Sequence, residues 1–280
     1  MTDFIRPSDL KDALAQLGGG AWRLLAGGTD IYPATQNATL SGDVMDLTAI
    51  PALRGITQTD HGLRIGACTT WAEIARAPLP PALRALQQAA AEVGGRQIQN
   101  AGTLGGNLCN ASPAADGVPP LLAVDAQVEL ISASGSRSLP LADFLIGPRK
   151  TALRRAEVLA AILIPKPGLE GASHFLKLGA RAYLVISIAM VAVRLTAAKG
   201  QITSAALAVG ACSATAQRLP AAEAALIGLP LDQAASALDA AKVASALSPL
   251  DDLRATAAYR HSAAAELLRR AIAQTCKGLT

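Results

Sequence analysis

Aromatic side chains are scarce in this chain: three Phe, three Tyr and two Trp make up 3% of its 280 residues. Charge of one sign is scarce too. With 25 Lys and Arg against 21 Asp and Glu, the net charge is only +4, and the basic residues are scattered. Without a basic stripe or a stacking platform, the composition argues against nucleic acid as a partner. Long apolar runs are also missing. The longest, Tyr183 to Val193, is shorter than the roughly 20 residues that a membrane-spanning helix needs. It is flanked by Arg181 and Arg194, so it reads as core, with no membrane insertion.

Cysteine and histidine are equally sparse. Cys68, Cys109, Cys212 and Cys276 lie far apart and show no C-x-x-C or Cys/His spacing suited to zinc or an iron–sulfur cluster. They read as reduced, mostly buried thiols, and no metal ligand is assigned. His61, His174 and His261 stand at no motif spacing to a serine, and no G-x-S-x-G elbow exists, so no side chain is assigned as catalytic. No G-x-G-x-x-G opens a βαβ unit and no G-x-x-x-x-G-K-[ST] loop occurs, which removes support for a Rossmann site or an NTPase. The segment Met1 to Pro7 has neither a basic start nor an apolar signal region, and the expected location is cytoplasmic.

What the chain does have is apolar residues, 51% of the total. A chain of this length can bury about three quarters of its unfolded surface, and two domains are expected. It also has two glycine pairs with polar followers. Trp22 to Ile31 reads as a short apolar strand that breaks at Gly27-Gly28 and restarts on Thr29-Asp30. Thr103-Leu104-Gly105-Gly106-Asn107 is the second pair, with Asp116 ten residues after Gly106. Glycine lets the main chain approach a ligand closely, and consecutive N–H groups can form an anion-binding concavity. Two such loops suggest a grip on one diphosphate from opposite sides. Ordinary tight turns are the alternative.

Between the loops, Ser8 to Leu17 reads as a helix stopped by Gly18-Gly19-Gly20, and Val44 to Leu47 as a strand. Asp60-His61-Gly62 reads as a hairpin turn with Ile56 and Ile65 on its arms, and Thr70 to Glu73 as a capping box. Pro80-Pro81 opens a longer helix ending at Gly94-Gly95. Beyond Asp116, an apolar stretch runs from Pro119-Pro120 to Val124. Gln127 to Ile131 alternates as a half-buried strand should, and Ser134-Gly135 turns it back. Another strand spans Glu157 to Ile164. The Pro/Gly cluster at 165–168 marks a domain boundary, dividing the chain into 1–170 and 171–280. The second part is expected to hold strands at 173–178, 186–195 and 202–209, then helices at about 220–226, 231–247 and 252–273, the last presenting Leu253, Leu267, Leu268 and Ile272. A sheet backed by helices is the simplest packing.

The motifs LLAGGTD at 24–30 and QNAGTLGGNLCNASPAAD at 99–116 resemble those of the FAD-binding medium subunits of the molybdenum hydroxylases. This family includes bacterial carbon monoxide dehydrogenase, xanthine dehydrogenase-like and nicotine or nicotinate dehydrogenase-like complexes. The similarity extends over nearly the whole chain, with further landmarks at Asp143 to Thr151, Glu157 to Leu159, Phe175 to Lys177, Tyr259-Arg260 and Leu267 to Ala271. It implies an α+β fold: a two-subdomain FAD-binding domain of the vanillyl-alcohol oxidase/MurB (PCMH) type, plus a small C-terminal α+β domain.

Carried over position by position, the resemblance puts Ala26, Gly27, Gly28, Thr29, Asp30 and Ile31, and likewise Thr103, Leu104, Gly105, Gly106 and Asn107, near the pyrophosphate or ribityl chain of FAD, with their N–H groups meeting the phosphates. It places Gly94 where the chain passes close to the cofactor, Asp116 on a ribose, Leu159 against the isoalloxazine ring and Lys177 where a cation approaches the cofactor. A loop Asp bonded to its own backbone and a solvated strand Lys are the plainer readings of Asp116 and Lys177. Tyr183 falls where some relatives carry an aromatic residue near the flavin, and a core aromatic is its alternative. Its neighbours Arg181, Ala182 and Leu184 depart from the acidic residues of several relatives, leaving the electron acceptor open. Cys109 reads as a small apolar side chain packed under the cofactor.

The implied assembly is a dimer of heterotrimers. In it a large molybdenum-pterin subunit oxidises substrate, a small subunit relays electrons through 2Fe-2S clusters, and this chain accepts them on FAD. Two other classes are weighed beside it: a stand-alone FAD-dependent oxidoreductase with its own small substrate, and a module that merely holds a nucleotide.

Overall fold

A computed structural model of the chain describes residues 3–36 and 40–280; the start of the N-terminal segment, Met1 and Thr2, lies outside them. The first sheet is small and parallel: β1 (Phe4–Ile5) and β2 (Arg23–Leu25) flank β3 (Val44–Asp46). Helix α1 (Leu10–Gly19) links β1 to β2. The Asp9 side chain starts it by accepting from the N–H groups of Lys11 and Asp12, and its apolar face buries Ala13, Leu14 and Leu17 with Met45 of β3. The sheet thus delivers the first glycine pair from the end of β2.

The expected hairpin follows, with β4 (Ile56–Thr59) and β5 (Gly62–Gly66) pairing Ile56 with Ile65. Helix α2 (Trp71–Arg76) opens on the capping box: Thr70 Oγ1 accepts from the Glu73 N–H, and the Glu73 carboxylate accepts from the Thr70 N–H at 2.7 Å. A 3₁₀ turn at Pro81–Leu83 leads into α3 (Arg84–Glu92), and short helices α4 (Arg96–Ala101), α5 (Leu104–Asn110) and α6 (Val118–Ala123) follow. After β6 (Gln127–Ser132), β7 (Gly135–Pro140), α7 (Leu141–Phe144) and the two-stranded pair β8 (Leu145–Gly147) and β9 (Lys150–Thr151) comes β10 (Val158–Pro165). This last strand is inserted at the centre of an antiparallel sheet of order β4-β5-β10-β6-β7. Its run VLAAILIP is apolar throughout because it separates two cores. Val158 and Ala160 pack with α1 and β3, whereas Leu159, Ile162 and Ile164 pack with α2, α5 and α6.

Beyond residue 171, β11 (Ala172–Leu178), β12 (Ala189–Ala198), β13 (Gln201–Gly210) and β14 (Gln217–Arg218) form a second antiparallel sheet in sequence order. Helices α8 (Pro220–Ala224), α9 (Ala240–Ser245) and α10 (Ala257–Lys277) cover one face. β12 obeys period two: Ala189, Val191, Val193 and Leu195 face those helices, while Met190 and Ala192 face Ala85 and Ala89 of α3 and Ala123 of α6. That second face joins the two halves of the chain. Ser173 Oγ accepts the N–H of Ala85 at 2.8 Å at the start of α3, and the carbonyls at the end of α6 receive Arg194 (to Ala123, 2.7 Å) and Arg218 (to Leu122, 2.8 Å).

Three expected elements shift. The strand expected from Ile186 begins at Ala189, because residues 185–187 turn to line a cleft. Of the helix expected over 231–247, only Ala240–Ser245 is helical; the bridge from Pro230 to Gln201 and the Leu231 N–H bonded to the Gly200 carbonyl tie the preceding segment to the sheet. The last helix starts at Ala257. Asp252 captures the N–H groups of Arg254 and Ala255 in a competing turn, leaving Leu253 outside the helix and 93% exposed.

Candidate functional site

The two glycine pairs meet. A Cβ on Gly27 would lie 1.9 Å from the Ala101 carbonyl oxygen and 2.8 Å from the Gly102 Cα. Only a residue without one can seat the first loop against the approach to the second. Gly28 adopts φ +72° with the Tyr32 ring against it. In the second loop the reasons differ between neighbours. A Cβ on Gly105 would strike Ala67 at 2.5 Å, so that glycine serves packing, whereas on Gly106 it would meet only Thr103 Oγ1 at 2.8 Å.

The backbone donors of the two loops are also unlike. In the second loop they are committed internally: Leu104 donates to the Thr69 carbonyl, Gly105 to that of Ala67, Gly106 to Thr103 Oγ1 and Asn107 to the Thr103 carbonyl. This corrects the expectation that N–H groups of both loops meet a diphosphate. In the first loop, the N–H groups of Gly27 through Ile31 have no acceptor among the described residues. Five successive backbone donors on the cleft wall are thus left for an external acceptor.

Between the loops lies a cleft of about 850 Å³, within the range of small-molecule and cofactor sites. It is lined by Ala26, Gly27, Gly28, Thr29, Asp30, Ile31, Gly94, Thr103, Gly105, Gly106, Asn107, Asp116, Leu159 and Lys177. Two of the expected residues are not on its wall. Leu104 is fully buried in the core beneath α5, and Tyr183 is 77% exposed. Apolar side chains of Leu47, Val93, Leu153, Val158, Val185 and Ile186 complete much of the remaining wall.

Asp116 sits in the segment between α5 and α6 but draws its partners from the second half of the chain. Its Oδ2 accepts from Lys177 Nζ of β11 at 2.7 Å, and its Oδ1 from Ser187 Oγ at 2.7 Å. The Lys177 and Asp116 side chains are only 8% and 9% exposed. Burial pushes the Asp116 carboxyl up, and the Lys177 ammonium and Ser187 hydroxyl draw it back. Half-buried Glu92 at the end of α3 is raised for the same reason, with Lys177 opposing the rise and Asp116 adding to it.

Three features fit a flavin dinucleotide. The free donors of residues 27–31 suit a diphosphate, the Asn107 Oδ1 is buried with no hydrogen-bond partner, and the apolar walls suit a flat ring. Cys109 is exposed and lines the cleft. Among the described residues no group of three or more His, Cys, Asp or Glu could hold a metal ion, and no helix is long and apolar enough to cross a membrane. Sequence reasoning missed Ser187 and Arg149 as wall residues. Arg149 lies within the landmark at 143–151, but nothing in sequence signals Ser187.

Residues 1–167 match the family of FAD binding domains in molybdopterin dehydrogenase, and residues 174–275 match the carbon monoxide dehydrogenase flavoprotein C-terminal domain. The chain is 33% identical to a putative xanthine dehydrogenase FAD-binding subunit of Escherichia coli over 91% of this chain and 89% of that one. It is 31% identical to the carbon monoxide dehydrogenase medium chain of Afipia carboxidovorans over 96% and 95%. Among solved structures, a reconstituted CO dehydrogenase from Oligotropha carboxidovorans superposes with a TM-score of 0.91 at 29% identity, covering 99% of this chain and 98% of that chain.

Proposed function

We propose that this chain, which belongs to the FAD-binding subunits of the molybdenum hydroxylase (xanthine dehydrogenase and carbon monoxide dehydrogenase) family, is the electron-transfer flavoprotein of such a complex. FAD, when bound, supplies the redox chemistry, taking electrons from the 2Fe-2S clusters of a small partner subunit and passing them to an external acceptor. The large partner, with its molybdenum-pterin centre, oxidises the substrate. The full assembly is a dimer of heterotrimers in the cytoplasm, where the free cysteines stay thiols.

The observation that carries this reading is the cleft into which both glycine loops open, its walls carrying five free backbone donors together with apolar side chains. Gly27 through Ile31 hold the diphosphate, Gly106 and Asn107 close the opposite side, Asp116 accepts sugar hydroxyls, and Leu159 packs on the isoalloxazine. Gly94 lets the chain pass close to the cofactor, and Lys177 orients Asp116. The binding domain is taken as 1–170, with 171–280 supplying Lys177 and Ser187 to it. Among the described residues the cleft wall holds no His, and its buried carboxylate, Asp116, is already paired with Lys177 and Ser187, which favours the electron-transfer reading over a substrate of its own.

The test is to purify the full chain, release its cofactor with acid and identify it, and then add the co-expressed partner subunits. One FAD per chain, reduced by the organic substrate only when the partners are present, is the expected result. Stoichiometric iron in this chain, or steady turnover by it alone, overturns the reading.

A further inference from the structure

The cleft wall carries four charged residues: Asp30, Asp116, Arg149 and Lys177. Lys177 is neutralised by Asp116. Arg149 is not paired with any carboxylate among the described residues, and its guanidinium is held by the Asn110 carbonyl and side-chain oxygen instead. It is therefore the one lining cation, among the described residues, whose charge is uncompensated.

Its backbone is built to keep it there. Arg149 adopts φ +58° and donates its N–H to the carbonyl of Ala111 at 2.8 Å, itself at φ +45°. Two non-glycine residues in the left-handed region, bonded to one another, are a strained arrangement of the kind that tends to mark functional sites. Asn110 is the last residue of α5, whereas Gly105 and Gly106 lie in its first turn, so at about 1.5 Å per residue the guanidinium is anchored several ångströms along the cleft from the glycine pair. Arg149 immediately precedes β9, and its N–H bond to Ala111 seats that strand against this end of α5, while Leu153, Val158 and Leu159 line the same cleft.

Resting on the FAD reading above, we infer that Arg149 is a positioning residue for the flavin ring, placing its fixed positive charge at the pyrimidine edge of the isoalloxazine rather than at the phosphates. Two electrons from the partner's 2Fe-2S clusters and one proton from water, taken up at N5, leave the reduced ring with a negative charge over N1 and the C2 carbonyl. A guanidinium beside that edge favours the reduced over the oxidised cofactor. Asn110 holds the guanidinium without adding a charge of its own.

The experiment is dye-equilibrated spectral titration of the bound flavin in the full chain, comparing wild type with Arg149→Gln, Arg149→Lys and Asn110→Ala, and measuring FAD and riboflavin affinities of the stripped proteins. The expected result for Arg149→Gln is retained FAD with about a tenfold fall in preference for reduced over oxidised flavin. For a two-electron couple that is a midpoint about 30 mV lower. Arg149→Lys should recover most of it, and Asn110→Ala should lose part. An unchanged midpoint in Arg149→Gln at full occupancy overturns the inference. So does a variant that loses FAD affinity but keeps riboflavin affinity, which would assign Arg149 to the phosphates. A wild-type chain that binds no FAD at all defeats the underlying reading instead.

Discussion

The Cα of Gly27 abuts the carbonyl of Ala101 so closely that a Cβ would stand 1.9 Å from that oxygen. The contact joins the first glycine loop to the end of α4, one residue before the second loop begins its approach through Gly102. Its consequence is that the separation of the two cleft walls is set by backbone touching backbone, which does not relax as a side chain would.

Gly27→Ala should therefore do two things together. Forcing the loops apart costs about 1–3 kcal/mol of overpacking strain, seen as a lower denaturant midpoint, and it displaces the donors of residues 27–31, seen as loss of the visible flavin band after gel filtration. A variant that is both stable and fully yellow would show that the loop contact is dispensable.

Gly105 and Gly106 should separate stability from binding. Gly105→Ala places a methyl group 2.8 Å from the Ala67 carbonyl oxygen and 2.5 Å from its Cβ, and should unfold about 1–3 kcal/mol more easily. Gly106→Ala meets only the Thr103 hydroxyl and gains helix propensity, so its stability should stay within about 1 kcal/mol of wild type. Its flavin dissociation constant should nonetheless rise about tenfold or more, because Gly106 lines the cleft and the added methyl group takes up room there. Equal stability losses in the two variants would refute this division.

Removing Asp116 should destabilise the chain even in the absence of cofactor. The Lys177 side chain is 8% exposed and its ammonium has this carboxylate as its partner. Stranding a buried charge costs about 3–5 kcal/mol. Asp116→Ala should show that loss in urea unfolding, Ser187→Ala should lose about 1 kcal/mol, and the double variant Asp116→Ala with Lys177→Met should recover a large part. Failure of the double variant to recover stability would mean that the pair is not what holds β11 in place.

Acid should expose the ion pair between Arg137 and Glu157. The bidentate guanidinium, with bonds of 2.7 and 2.8 Å, holds Glu157 below the usual glutamate range, and the Arg154 N–H assists. Because the folded value is depressed, the stabilisation is complete above the unfolded value of about 4.3 and disappears as pH falls through the lower folded value. At pH 7, Glu157→Gln should cost about 1 kcal/mol after allowance for screening at the partly exposed Arg137, and the difference from wild type should close below about pH 4. A constant difference across that range would mean that the charge of Glu157 contributes nothing.

Most of the scaffold was legible because its signals are local. Asp9 starts α1, the Thr70 and Glu73 box starts α2, and Asp60-His61 closes the hairpin with Ile56 against Ile65; each depends on residues a few positions apart. The misplaced helices at 231–247 and 252–273 failed for two reasons: a distant partner, the Gly200 carbonyl, takes the Leu231 N–H, and a competing local turn at Asp252 delays the last helix until after Thr256. At the cleft, the glycine pairs announced close backbone approach but not its object. Gly27 and Gly105 are small for the sake of protein neighbours, and only the folded chain reveals which N–H groups are left free. Ser187 was invisible because its role exists only through Asp116, 71 residues earlier.

Asp116 belongs to one half of the molecule, and Lys177 and Ser187 belong to the other. Severing the chain near residue 171 would leave an orphaned anion in one fragment and an orphaned cation in the other, each facing water across a surface made for contact. The halves are therefore matched halves of one mould, and a graft that exchanged either between relatives would have to carry the acid, the amine and the hydroxyl together.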